Sequence, residues 1–137
     1  MVYQLIYTSI ATPALDDFAL REIAQSSSYN NQLLGLTGLL LFDSRSILQV
    51  IEGDEMSVYS LYGKVKRDKR HTHCQILNAG MGQNREFLDT FMGYKNVTGH
   101  PDADALFNLN QNNFRKVLPF SPPHELEGLT PSYQKAG

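Results

Sequence analysis

Gly35-Leu36-Thr37-Gly38-Leu39-Leu40-Leu41-Phe42-Asp43-Ser44-Arg45-Ser46-Ile47-Leu48-Gln49-Val50-Ile51-Glu52-Gly53 is the stretch on which the fold turns. Leu36 to Phe42 is an almost unbroken apolar run bracketed by Gly35 and Asp43, which predicts a central strand buried on both sides. Asp43-Ser44-Arg45-Ser46 is hairpin chemistry, and Ile47 to Glu52 returns as the partner strand. Gly53 ends that strand and Asp54 caps a helix with Met56, Tyr59, Tyr62 and Val65 as inward candidates. The polar run from Lys64 to His73 closes it.

Upstream, Val2 to Tyr7 alternates as a strand, with Val2, Gln4 and Ile6 opposed to Tyr3, Leu5 and Tyr7. Thr12-Pro13 is a helix start, with Asp16 and Asp17 suited to the positive end of its dipole. Leu15, Ala19 and Ile23, with Leu20 and Ala24 offset, give a stripe running to about Ser27. Ser26 to Asn31 is polar and predicts a connection. Downstream, Cys74 to Leu77 and Phe91 to Val97 are two further strands. A short helix near Ala103–Asn110 and a proline-punctuated tail follow. The order is strand, helix, strand, strand, helix, strand, strand. It predicts an α+β, ferredoxin-like split βαβ sandwich, a five-stranded mixed sheet with two helices on one face.

Composition narrows the function classes. The 137 residues are 42% hydrophobic and 19% charged, with a formal charge of −2. One domain of about 100–200 residues fits that length. Without a basic excess, duplex nucleic acid is not expected as a direct ligand. No apolar run approaches the roughly 20 residues of a membrane helix, and no export signal opens the chain, so a cytoplasmic setting is expected. The single cysteine, Cys74, excludes a disulfide framework. His71-Thr72-His73-Cys74 lacks a second ligand pair at metal spacing, so no metal is expected. G-x-S-x-G, Walker and G-x-G-x-x-G motifs are all missing.

Gln49 is the residue hardest to explain as packing. It shares a strand face with Ile47 and Ile51, and a buried amide left unpaired costs about 1–3 kcal/mol. It either bonds a neighbouring backbone group or addresses a bound polar ring, since it can donate and accept at once. Tyr7 ends the first strand, next to the third in a ferredoxin-like sheet. Its phenol either reaches water or meets Gln49. Asn31 fits a turn residue. Lys64, Asp68, Arg70 and His71 read either as a solvated helix end or as a holder of phosphate and ribose.

Together, Leu5-Ile6-Tyr7-Thr8-Ser9, Asn30-Asn31, Gly35-Leu36-Thr37-Gly38-Leu39-Leu40, Leu48-Gln49-Val50-Ile51-Glu52-Gly53 and Asp68-Lys69-Arg70-His71 resemble the BLUF family, blue-light sensors that use FAD. The resemblance spans about Val2 to Val97, which implies a flavin-binding domain over 1–97 and a C-terminal cap and tail over 98–137. It implies that FAD is held between the two helices, with FMN and riboflavin as alternatives. Tyr7 would be the photoactive phenol and Gln49 the amide between it and the flavin. Asn31 would bond the pyrimidine edge, while Ile23 and Val65 would press on the ring faces. Lys64, where the family often has arginine, would line the ribose and phosphate end with Asp68, Arg70 and His71. Tyr7 would give an electron and then a proton to the light-excited flavin. Return of both would leave the Gln49 amide rearranged, by rotation or tautomerisation.

Two departures accompany the likeness. Phe87, Met92 and Gly93 match the family pattern, but Thr90 stands where tryptophan is usual, and the chain has no tryptophan. Output is therefore expected through Met92 and its strand. Ile47 stands where an aromatic residue is common. Some forty residues after Val97 are too few for a cyclase or phosphodiesterase domain. A short stand-alone sensor, not an enzyme, is expected. It would act through a downstream signalling protein or transcriptional regulator or through its own oligomerisation, with the tail from Ala103 to Gly137 as the candidate contact surface and an exposed sheet face favouring self-association as a homo-oligomer. Two competing readings are a small acyl phosphate hydrolase and a nucleotide-sensing domain without photochemistry. The hydrolase would need an arginine after the first strand, and Thr8 to Thr12 has no basic residue.

Overall fold

The computed structural model describes residues 1–87 and 90–101. The short helix and tail expected from Ala103 onward lie outside the described residues. Seven elements appear in the expected order: β1 (Val2–Ala11), α1 (Asp17–Leu34), β2 (Thr37–Phe42), β3 (Ser46–Gly53), α2 (Glu55–Lys66), β4 (His71–Gly82) and β5 (Gly93–Asn96). The sheet runs β4-β1-β3-β2-β5. Every neighbouring pair is antiparallel except β2 and β5, which are parallel. This is the ferredoxin-like sheet with one strand added outside β2.

Register places the two candidate polar residues side by side. In the β1–β3 ladder Tyr7 faces Gln49 and Leu5 faces Ile51, while β2 sets Leu40 opposite Gln49. Strand period 2 then gives one face Tyr3, Leu5, Tyr7, Leu40, Phe42, Ile47, Gln49 and Ile51. Both helices cover that face. α1 packs Leu20 and Ala24 against Leu40, Phe42 and Ile47, whereas α2 packs Val58 and Tyr62 against Tyr3, Leu5, Tyr7 and Ile51. Gly38 lets β2 and β3 meet, because a Cβ there would be driven into the Val50 carbonyl oxygen.

Several expectations are corrected. β1 runs past Tyr7 to Ala11, and β4 runs over His71–Gly82 rather than Cys74 to Leu77, because the two strands pair along almost their whole length. α1 begins at Asp17, not at Thr12-Pro13. The cap is Asp16, whose carboxylate accepts from Ala19 N–H, while Thr12 donates to the Arg70 carbonyl. Ser26 to Asn31 is helix rather than a connection. The Ser28 hydroxyl bonds back to the Gln25 carbonyl, and Gly35, in the left-handed region at φ 68°, ends the helix by donating to Asn31 and Gln32. In α2, Tyr62 is buried as expected, but Met56 and Tyr59 are exposed and Val58 is buried in their stead.

The other face of the sheet is not fully open. Ile6, Leu39, Leu41, Leu48 and Val50 are buried with Phe87 and Val97. Among the described residues that face is covered over β1, β2 and β3, while β4 keeps exposed positions at Thr72, His73, Gln75 and Ile76. No helix among the described residues is long and apolar enough to cross a membrane.

Candidate functional site

The two helices leave a cleft of about 550 Å³, counting its open mouth, with the sheet as its floor. Leu20, Ile23, Ala24 and Ser27 form the α1 wall, and Leu61 and Val65 the α2 wall. Tyr7, Leu40, Ile47, Gln49 and Met92 form the floor, with Asp68 and His71 at one end. Polar groups are few and converge on apolar surroundings, as in small-molecule sites generally. A second groove of about 1230 Å³ adjoins it and shares Ser27 and Leu61. Asn31 and Lys64 line that groove. Seven of the expected residues (Tyr7, Ile23, Gln49, Val65, Asp68, His71 and Met92) thus line one cleft, and Asn31 and Lys64 its extension.

Tyr7 Oη donates to Gln49 Oε1 at 2.5 Å, with both side chains buried. Burial holds the phenol well above its ordinary pKa, so it stays protonated and able to donate. Tyr62 packs tilted against its ring, the centroids 5.3 Å apart. Gln49 Nε2 lies 3.4 Å from the Met92 sulfur, a weak acceptor. Its second amide proton meets no acceptor among the described residues. Asn31 is equally buried, and its Nδ2 donates to the Phe91 carbonyl at 2.7 Å. Its Oδ1 receives no proton from the described residues. Two buried side-chain amides with spare capacity, at an apolar slot, suit a planar ring that donates and accepts along one edge. These residues fit a flavin.

The remaining expected residues stand differently. Arg70 lines neither space. Its guanidinium is spent on Asp68, with Nη2 at 2.6 Å from Oδ2, and holds that carboxyl down at about 2. Both His71 nitrogens are engaged, Nδ1 with the Ser9 hydroxyl at 2.8 Å and Nε2 with the Val65 carbonyl at 2.6 Å. Because a carbonyl only accepts, Nε2 carries the proton. His71 therefore ties β4 to the end of α2 and offers the cleft ring surface rather than a free donor. Lys64 is exposed on α2.

Sequence reasoning missed Ser27 and Leu61, which join the two spaces, and gave Tyr62 as an inward residue of α2 without its place behind Tyr7. Ile23, Ser27 and Asn31 are spaced by four. Had the helix been carried through the serines, that spacing would have revealed the wall they share.

Residues 2–93 match the BLUF family, described as sensors of blue-light using FAD. A relative, the photoactivated adenylate cyclase subunit alpha-like protein FB of Euglena gracilis, is 30% identical over 124 residues, 87% of this chain and 12% of its own length. The chain thus spans about an eighth of the curated relatives it matches. Klebsiella pneumoniae BlrP1, solved with FMN and cyclic diGMP, superposes with a TM-score of 0.70 at 28% identity, over 98% of this chain and 35% of that one. The BLUF protein BlrB in its dark state, at 23% identity and TM-score 0.73, covers 94% of this chain and 96% of its own, a likeness of fold. With the family match spanning two-thirds of its length and the fold shared, the chain belongs to the BLUF family of FAD-using blue-light sensors.

Proposed function

We propose that this chain binds a flavin, FAD with FMN or riboflavin as substitutes, in the cleft between α1 and α2. It reports blue light by rearranging the hydrogen bonds of Tyr7 and Gln49. The observation that carries this reading is the buried Tyr7–Gln49 bond at the floor of the cleft, with an amide proton of Gln49 left over. Bound flavin supplies the absorption of blue light and an acceptor for one electron. Tyr7 would be the source of that electron and of a proton, which Gln49 is placed to relay because its oxygen already holds the phenol. Once both return, the Gln49 amide has turned or tautomerised and offers its proton elsewhere. Ile23 and Val65 exclude water from the ring faces. Asn31 pairs with the ring edge through its spare oxygen, and Lys64 serves the phosphate end in the adjoining groove. Asp68 reaches a ribose hydroxyl while Arg70 braces it, and His71 forms part of the wall.

The changed amide is read by Met92, whose sulfur touches Gln49 and which immediately precedes β5 at the sheet edge. With Thr90 in place of tryptophan, Met92 is the side chain able to follow Gln49 from that segment. Output passes to a downstream signalling protein or transcriptional regulator, and no catalysis is assigned to the chain. A lone free cysteine, Cys74, fits a cytoplasmic setting.

The test is an absorption spectrum of flavin-loaded protein before and after blue light. A reversible red shift is expected in the native protein. Tyr7→Phe should keep the flavin and lose the shift entirely. An undiminished shift in Tyr7→Phe would remove the phenol from the mechanism. A nucleotide-bound protein without any light response would favour the ligand-sensing alternative.

A further inference from the structure

Glu52 is the most deeply buried charge-bearing side chain of the sheet, and it is on the face away from the cleft. It has no measurable exposure, and burial raises its carboxyl above the ordinary value against the pull of its hydrogen bonds. Four donors converge on its two oxygens. Gln4 Nε2 lies at 3.0 Å and Glu86 N–H at 2.7 Å from Oε2, while Thr37 Oγ1 lies at 3.1 Å and Phe87 N–H at 3.0 Å from Oε1. Gln4 and Thr37 are its cross-strand partners in the β1 and β2 ladders. Arg85 adds a cation one bond away, its Nη1 donating to the Thr37 hydroxyl at 3.0 Å and approaching the Glu52 carbonyl at 3.4 Å.

Two of those donors are not side chains of the sheet. They are the backbone of Glu86 and Phe87, the segment that leads from β4 to β5. A few residues on, that same segment delivers the Thr90 carbonyl to Gly38 N–H at 2.9 Å, the Phe91 carbonyl to Asn31 and the Met92 sulfur to Gln49. One stretch of chain is therefore gripped by a carboxylate on the far face and supplies two contacts to the cleft on the near face.

The geometry points to Glu52 as the positioning residue that sets where Met92 and the Phe91 carbonyl meet Gln49 and Asn31. It acts by clasping the backbone of residues 86 and 87. This rests on the proposed photochemical role of Gln49. A charged acceptor suits the task because it holds two N–H groups at once without offering a donor of its own. Glutamine in its place would present an NH2 to one of those N–H groups and lose that bond.

The experiment compares the native protein with Glu52→Gln, flavin-loaded and in the dark, by the methyl resonance of Met92 and by amide hydrogen exchange at Glu86 and Phe87. Dark recovery after blue light is then followed in both. In Glu52→Gln the Met92 resonance should move, and whichever of the two amides faces the new NH2 should exchange about tenfold faster, a single charge-assisted hydrogen bond's worth. Recovery should slow by roughly threefold, because Gln49 in its dark arrangement has lost a placed acceptor. Gln4→Met removes one donor without touching the backbone grip, and should leave the Met92 resonance and the recovery rate as they are. Thr37→Val, which unhooks Arg85, should shift Met92 in the same direction by less, and it serves if Glu52→Gln does not fold. A lowered melting temperature with unmoved Met92 resonance and unchanged recovery would make Glu52 a purely structural residue and overturn the inference. A native protein with no light response would overturn the photochemical reading. The Met92 resonance in the dark would still decide the role of Glu52.

Discussion

Gln49 and Glu52 stand three residues apart on one strand and on opposite faces of the sheet, and they are bonded in opposite ways. The carboxylate has four donors and spare capacity for none, although burial alone would forbid its charge. The amide has one strong partner, one weak sulfur contact and a proton to spare. Buried polar groups are normally satisfied. A fully satisfied one fixes structure, and an incompletely satisfied one beside a cleft is reserved for a ligand. The contrast separates scaffold from site without reference to any relative.

Four perturbations bear on that contrast, in order of expected effect. The harshest removes the scaffold common to both faces. Gly38→Ala drives a methyl into the Val50 carbonyl and should cost about 3 kcal/mol of stability, read by urea denaturation of the loaded protein. On the near face, Asn31→Ala deletes the other amide with unused capacity and should weaken flavin binding about tenfold, measured by equilibrium titration. Met92→Leu keeps the volume and withdraws the sulfur from Gln49. It should leave stability within about 1.5 kcal/mol while altering dark recovery by threefold or less, seen in the decay of the red-shifted absorption.

The smallest effect concerns acid. Arg70 lowers the Asp68 carboxyl from 3.8 to about 2 in the folded protein. A depressed carboxyl contributes stability that is present above its unfolded value and is lost as pH falls through its folded one. The melting temperatures of the native protein and Arg70→Gln should therefore differ by a constant amount above about pH 5 and converge between pH 4 and 2. Partial exposure of both side chains keeps the difference small.

The hairpin from Gly35 to Gly53 was legible because strand period, turn residues and a helix cap all agree there. The Tyr7–Gln49 pairing follows from strand alternation once β1 and β3 are neighbours, and the family motif supplies its meaning. The second half of α1 was not legible. Ser26, Ser27, Ser28, Asn30 and Asn31 are weak helix formers, and their helix is held by Gly35 and by packing on the sheet. The His71 bonds to Ser9 and Val65 join residues from three elements, and no local pattern announces them. Glu52 looked like the polar end of a strand, because the backbone it grips lies more than thirty residues downstream.

The serines and asparagines of α1 carry a consequence for how the protein is made. A helix end with so little intrinsic propensity is the first to open and the last to consolidate, and it is also one wall of the cofactor cleft. Ligand that binds only the closed wall stabilises it by mass action. Synthesis in cells short of riboflavin should therefore yield a chain whose sheet is sound but whose residues 26–34 are open to proteases. Flavin supply would then set how much sensor survives, and the cell's vitamin status would limit its sensitivity to light.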